Sequence, residues 1–458
     1  MSEREFDVVV IGAGPAGEVA AGRLAKRGRA TALVEAHLIG GECAFYGCMP
    51  SKALLRPPEL HEEAERVPGV REAVTGDLDV RAVLRRRDEV IHGLDDSGQE
   101  PWLQERGVAI VRGHGRLDGE RRVRVEDELL VAREAVIVAT GSQALLPPIP
   151  GLAEARPWTN REATTSERIP PRLLVLGAGV VGVELAQAYA SLGSTVTLVE
   201  AAPRILASEE PFAADALDAA LRERGIEILT AAPAARVQRD GTGELTLTLE
   251  NGRLLQGDEL LVAVGRKPLT DDLGLETVGI EPGGTLEVDD RMQVPGYPWL
   301  YAIGDVNGRA LLTHMGKYQA RIATLVLDGD EQARATQDGP GSPRVIFTDP
   351  QVAAVGMTEA AAREAGIDVR TVSRPTSAIA GASFVGRHTP GTTQLVIDGG
   401  RDVIVGATFV GFEVAEMLHA ATVAIVNNVP IAQLWACAPP FPTRSETWLR
   451  LLEAYELA

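Results

Sequence analysis

The hydrophobic pattern of this 458-residue chain opens on a buried-strand signal, "FDVVVI", from Phe6 to Ile11. The run enters the glycine turn "GAGPAG", continues into an alanine-rich stretch with helical spacing, and reaches a second apolar run ending at Glu35. That order predicts a strand, a helix and a strand. It returns as "RLLVLGAGVVGVELAQAYASLGSTVTLVE". Gly12, Gly14 and Gly17 correspond to Gly177, Gly179 and Gly182, an offset of 165 residues that Glu35 and Glu200 share. A fixed offset marks one supersecondary unit used twice.

Later runs echo one another as well. "VIVATG" is an apolar strand closing on Thr140 and Gly141, and "LLVAVG" closes on Gly265. "LYAIGDVNG" predicts a strand and a turn at Gly304 and Asp305. Residues 328–343, "DGDEQARATQDGPGSP", are polar and turn-rich and are expected to form a linker. Beyond them the runs predict a mixed sheet with helices and contain no glycine-rich loop. The expected fold is α/β, with two Rossmann-like dinucleotide-binding domains and a C-terminal α+β domain. A chain of this length exceeds one core, which agrees with several domains.

Composition narrows the function classes. The formal charge is −19, from 45 basic and 64 acidic residues. Nucleic acid and acidic membrane surfaces are therefore not expected as partners, since both need a basic face. No apolar run reaches the roughly 18 residues of a membrane span. An apolar strand starting at Phe6 leaves no room for a signal peptide, so a cytoplasmic setting is expected. Only four residues are lysine: Lys26, Lys52, Lys267 and Lys317.

A lone GxGxxG is weak evidence. Here it occurs twice between a strand and a helix, each time with an acid 18 residues past the last glycine. Such glycines let backbone N–H groups approach a pyrophosphate at a helix N-terminus. Glu35 and Glu200 stand where a carboxylate accepts ribose hydroxyls. At the second site this favours NAD over NADP, because a 2′-phosphate would meet a carboxylate. The two units should bind different cofactors. "GGECAFYGCMPSK", residues 40–52, holds Cys43, Cys48 and Lys52 soon after the first unit. A close cysteine pair in a cytosolic protein points to redox chemistry or metal. No second Cys or His pair stands at ligand spacing, so no metal is expected. A redox dinucleotide beside two cysteines points to flavin (FAD) at the first site and nicotinamide (NAD) at the second. Five residues of separation permit a disulfide where the chain turns at a helix start, and a helix N-terminus favours thiolate. Cys437 is expected to be a buried free thiol.

"GGECAFYGCMPSK" resembles the GGxCxxxGCxPSK signature of the class I flavoprotein disulfide reductases, the pyridine nucleotide–disulfide oxidoreductase family. "VIVATGS", "LYAIGDVNGRALLTHMGKYQA" and "VIFTDPQVAAVGMTE" resemble its ATG segment, its second flavin motif and the opening of its dimerisation domain. The likeness extends over nearly the whole chain. It implies an FAD-binding domain at 1–148 and 269–335, an NAD-binding domain at 149–268 and a dimerisation domain at 336–458. It also implies a homodimer in which Cys48 faces the flavin as thiolate and Cys43 exchanges with substrate. Lys52, paired with Glu184, would serve the flavin, Gly41 and Asp305 would contact it, and a helix starting near Leu312–His314 would point its N-terminus at the ring.

One departure stands out. The family's HPTxxE segment supplies an acid–base His–Glu pair from the partner subunit. Here the stretch is "PPFPTRSE": Phe441 occupies the histidine position, while Pro442, Thr443 and Glu446 match. Phe cannot move a proton. The expected activity is NADH-dependent flavoprotein reduction of the Cys43–Cys48 disulfide, with an unidentified acceptor: a small or protein thiol or disulfide, a quinone or a thioether. One alternative is the family's ketone-carboxylating, thioether-cleaving chemistry, as in 2-ketopropyl-coenzyme M oxidoreductase/carboxylase, which also has Phe there. Another is a catalytically weak dihydrolipoyl dehydrogenase paralogue acting as a binding subunit. The ending "EAYELA" has no cysteine pair, which argues against mercuric reductase.

Overall fold

The first apolar run forms the strand Ser2–Ile11, which begins earlier than the pattern predicts. The computed structural model describes residues 2–387 and 389–457. Ser2–Ile11 pairs in parallel with Thr31–Glu35 on one side and Glu128–Val138 on the other, placing Val10 opposite Leu33 and Ile137. Parallel strands covered on both faces read as continuous apolar runs, as these do. Val108–Arg112 extends the sheet beyond Thr31–Glu35, and Arg122–Val125 with Gly115–Leu117 extend it antiparallel at the far edge. Leu300–Ala302 joins in parallel against Glu128–Val138, so the turn at Gly304 leaves the same strand ends as the Gly12 turn.

The helix Pro15–Lys26 starts on a proline at its first position and buries Ala16, Ala20, Ala21 and Leu24. Its small residues admit a close neighbour. The helix Thr313–Leu327 lies against it where a Cβ on Gly316 would stand 3.2 Å from Ala16 Cβ. Arg23 Nε donates to Thr324 Oγ1 at 3.0 Å across the same contact. These elements belong to one compact unit, Met1–Pro50 with Asp88–Ala144 and Arg266–Pro340.

The other unit comprises Ser51–Arg87, Leu145–Gly265 and Gly341–Ala458. Its four-stranded parallel sheet runs in the order Glu227–Leu229, Thr195–Val199, Arg172–Leu176, Glu259–Val262. The helix Val180–Ser191 follows the second glycine turn, as Pro15–Lys26 follows the first. A five-stranded antiparallel sheet, with Gln351–Gly356, Val403–Gly411 and Thr392–Asp398 at its centre, carries the helices Leu418–Val426 and Glu446–Glu456. The architecture is α/β with two Rossmann-like units and a C-terminal α+β portion.

Residues 328–343 contain no helix or strand, yet they are not a free linker. Ala333 and Ala335 enter the core of the first unit. Asp338 is buried and accepts from Arg309 Nε at 2.9 Å and Gln319 Nε2 at 2.8 Å. The polar composition predicted a solvated segment; a paired carboxylate instead allows burial. Among the described residues no helix is long and apolar enough to cross a membrane.

Candidate active site

The two glycine turns are built alike. Gly12 has φ +101°, and a Cβ there would stand 2.4 Å from Ala139 O; Gly177 has φ +102° and the same conflict with Ala263 O at 2.5 Å. Gly17 and Gly182 are needed for close packing, since a Cβ would lie 1.8 Å and 1.9 Å from the carbonyl oxygens of Gly12 and Gly177. Gly14 and Gly179 differ: nothing lies within 4 Å of either Cβ position. These open positions, at helix N-termini, fit the pyrophosphate of a dinucleotide.

Glu35 Oε2 accepts from Ala13 N–H at 2.6 Å and Oε1 from His37 N–H at 2.7 Å. Glu200 accepts from Ala178 N–H at 2.7 Å and Ala202 N–H at 2.8 Å. Each acid thus pins its own glycine turn. A carboxylate has about four acceptor sites, so capacity remains for ribose hydroxyls.

Thr140 Oγ1 donates to Leu269 O at 2.9 Å, and Gly141 follows with φ +72° and open space at its Cβ position. Gly265 adopts φ +144° after the matching strand in the other unit. Gly304 has φ +77° and donates its N–H to Gln319 Oε1 at 2.7 Å. Asp305 accepts from Ser142 Oγ at 2.6 Å, with Arg266 Nε 3.8 Å away. Burial pushes the Asp305 carboxyl up, and Ser142 and Arg266 oppose that. Ser142, Arg266 and Gln319 were not singled out in the sequence. Ser142 and Arg266 each directly follow a strand-ending glycine already marked there, which was the available signal.

Gly41 has φ +60° and approaches so closely that a Cβ would lie 2.9 Å from Gly14 Cα. It opens the short helix Gly41–Phe45, which carries Cys43. Phe45 is buried against Gly40, so it fills space beneath the loop. Cys48 begins the helix Cys48–Arg66 and is exposed; Cys43 is half-buried. The two cysteine side chains share a hydrogen bond. Cys48 Sγ lies 3.5 Å from Thr313 Oγ1. The Cys43 thiol is raised well above its ordinary value, first by the hydrogen bond with Cys48 and then by burial; Thr313 and Lys317 pull it down. Two adjacent thiols cannot both ionise readily, and Cys43 is the one that keeps its proton. His314 is exposed on the first turn of Thr313–Leu327.

In the other unit Lys52 Nζ donates to Glu184 Oε2 at 2.7 Å. Glu184 is 3% exposed and also accepts from Phe347 N–H at 2.9 Å. Lys52 Nζ stands 4.6 Å from the Phe347 ring centroid.

Phe441 is 76% exposed. Glu446 is buried, accepting from Arg450 Nη2 at 2.7 Å and Ala380 N–H at 3.1 Å. Both of its oxygens are therefore engaged. Cys437 corrects an expectation: it is exposed, in the turn after the short helix Ile431–Leu434, with its Sγ 3.6 Å from Gln433 O. Residue-type preference suggested burial, but the loop leaves the thiol at the surface. Among the described residues no cluster of three or more His, Cys, Asp or Glu could hold a metal ion.

Comparison with known proteins places these features in a family. The model described as pyridine nucleotide-disulphide oxidoreductase matches residues 6–322, and that family's dimerisation domain matches residues 342–452. A dihydrolipoyl dehydrogenase of Thermus scotoductus is 34% identical over 98% of this chain and 97% of its own length. A mercuric reductase of Bacillus cereus is 30% identical over 96% of this chain and 70% of its own. The HOCl-induced flavoprotein disulfide reductase RclA of Escherichia coli, solved as a Cu(II) complex, superposes with a TM-score of 0.87 at 28% identity. That likeness covers 98% of this chain and 99% of the other.

Proposed function

Because this chain belongs to the pyridine nucleotide–disulphide oxidoreductase family, we propose that it passes electrons from NADH to the Cys43–Cys48 pair and on to an acceptor still to be identified. Membership makes it a flavin-dependent enzyme acting on a sulfur group, with a pyridine nucleotide as reductant. The dimerisation-domain match supports a homodimer. The residue roles, the preference for NADH, a cytoplasmic setting and the three domain boundaries expected from the sequence are parts of the proposal.

The observation that carries it is the Cys43–Cys48 hydrogen bond on a loop whose first helical residue touches Gly14. The thiol pair and the open pyrophosphate position thus belong to one local construction. FAD, when bound at the first turn, would relay a pair of electrons between nicotinamide and sulfur. Gly12, Gly14, Gly17, Glu35, Gly41, Thr140, Gly141, Gly304, Asp305 and His314 would hold or border it. Gly177, Gly179, Gly182, Glu200 and Gly265 would hold NADH. Cys48, at a helix N-terminus, is the better-placed thiolate. Cys43 is the thiol left to meet the acceptor. The Lys52–Glu184 pair would set the charge felt by the flavin.

Phe441 leaves the family's imidazole position without a proton carrier. Exchange at Cys43 then needs another proton source, or an acceptor that requires none, such as a quinone. The carboxylating, thioether-cleaving reading shares the Phe but has no further support in this chain. Steady-state assays with NADH and, in turn, oxidised lipoamide, a quinone and a thioether ketone with carbon dioxide separate these readings. NADH oxidation that depends on a disulfide or quinone supports the reductase. Carboxylated product would replace it, and no turnover with any acceptor would favour a binding subunit.

A further inference from the structure

Gln319 is fully buried on the helix Thr313–Leu327, three residues after Gly316 and so on the same face. That face meets the turn Gly304–Asn307, where a Cβ on Gly316 would stand 3.4 Å from Gly304 Cα. Gln319 Oε1 accepts from Gly304 N–H at 2.7 Å and from Asn307 Nδ2 at 2.9 Å. Asn307 Nδ2 also donates to Ala302 O at 3.1 Å, and its Oδ1 accepts from Arg309 N–H at 3.0 Å. One side-chain oxygen thus holds both ends of the turn from inside.

The other end of the Gln319 amide is fixed by Asp338, from the segment whose composition suggested a solvated linker. Gln319 Nε2 donates to Asp338 Oδ2 at 2.8 Å. Asp338 is buried, and Arg309 binds it with Nε at 2.9 Å and Nη2 at 3.0 Å. Arg309 Nη2 is held in turn by Asp290 Oδ1 at 3.0 Å and Ala335 O at 3.3 Å. A carboxylate paired in this way only accepts, so it selects between two amide orientations of nearly equal shape. The reverse orientation would set the Gln319 NH₂ against the Gly304 and Asn307 donors, and its oxygen against Asp338. Buried polar groups left unmet in this way are strongly unfavourable.

We infer that Asp338 is a positioning residue for the flavin: through Gln319 it fixes the Gly304–Asp305 turn in the form that holds FAD. The inference rests on FAD binding at this turn and the Gly12 turn. Asp305 directly follows the anchored Gly304 and accepts from Ser142 Oγ at 2.6 Å. Loosening the Gly304 N–H therefore moves the Asp305 carboxylate with it.

Release of FAD from the loaded protein, followed by flavin fluorescence after dilution, tests this without nicotinamide or acceptor. Circular dichroism shows whether each variant is folded. Gln319→Met keeps the side-chain length but removes the acceptor for Gly304 N–H. It should release FAD at least about tenfold faster, the worth of one unmade buried hydrogen bond. Asp338→Ala should do the same. In the Gln319→Met background, Asp338→Ala should add less than about threefold, because its effect runs through an amide that is already gone. Asp338→Asn should stay within about threefold of wild type, since its carbonyl oxygen can take the Gln319 bond. Should Asp338→Ala not fold, Asp338→Asn combined with Gln319→Glu carries the test. That pair reverses the hydrogen bond: an amide at 338 donates to a carboxylate at 319, whose second oxygen still accepts from Gly304 N–H. Its release should also match wild type within about threefold. Wild-type release in Asp338→Ala, or multiplicative effects of Asp338→Ala and Gln319→Met, would overturn the inference. So would Asp338→Asn as fast as Asp338→Ala, or the folded reversed pair as fast as Gln319→Met. A wild type that takes up no FAD would count instead against the flavin reading itself.

Discussion

Glu18, half-buried on the helix Pro15–Lys26, makes a stability prediction with a definite sign. Its folded-state value is raised to about 7 from an ordinary 4.5, so the native state holds the proton more tightly than the unfolded chain. Stability from this group is full below the unfolded value and falls as pH rises through the folded value. Glu18→Gln, at saturating FAD, should raise the melting temperature more at pH 8 than at pH 5, as scanning calorimetry would show. An equal effect at both would mean that Glu18 is charged throughout. Phe441 and Glu446 set a second expectation. Phe441→His should raise kcat/KM for oxidised lipoamide by no more than about tenfold, below the ~10²- to 10⁴-fold of a well-placed acid–base group. The reason is that Glu446 is already held by Arg450 and Ala380 N–H. A larger gain would mean that Glu446 leaves Arg450 for the imidazole. Glu200 should make NADH reduce the flavin faster than NADPH, because a 2′-phosphate beside it costs on the order of several kcal/mol. Stopped-flow rates that are equal or reversed would show that the carboxylate is bypassed.

The glycine turns separate folding from cofactor binding at the scale of the element. Gly14 has φ −69° and an empty Cβ position, so Gly14→Ala should fold normally and lose FAD. Gly17→Ala should fail earlier, because its Cβ would stand 1.8 Å from Gly12 O. Circular dichroism with the bound flavin absorbance distinguishes them; full FAD occupancy in Gly14→Ala would show that the pyrophosphate lies elsewhere. These elements were also the most legible in the sequence. Strand periodicity, glycine spacing and the offset to Glu35 and Glu200 are local properties, and both units took the expected form. What the sequence hid is what depends on packing. Asp338 sits in a polar segment, and only Arg309 and Gln319, brought from other elements, allow it to be buried. Glu18 was not singled out in the sequence, because its raised value comes from burial, opposed by Lys317, which no local pattern reveals. Cys437 was misjudged because residue-type preference ignores the loop that carries it.

For the whole molecule, the proposed electron path runs from a nicotinamide through a flavin to the Cys43–Cys48 pair. The division of labour proposed for Cys43 and Cys48 is supported by their positions, one half-buried with its thiol value raised, the other exposed at a helix start. The homodimer that the dimerisation domain supports agrees with the exposed Phe384, Trp435 and Phe441 of the second unit, large apolar side chains that a partner subunit would cover. The most direct measurement of the central claim is an anaerobic NADH titration of the FAD-loaded wild type beside Cys48→Ser, followed by absorbance. The account predicts that the wild type takes up a first pair of electrons with its flavin band largely intact, while a long-wavelength band from the Cys48 thiolate appears. Cys48→Ser should bleach its flavin at once and show no such band. A wild type that bleaches directly, with a trace matching Cys48→Ser, would contradict the claim that Cys43 and Cys48 lie on the electron path.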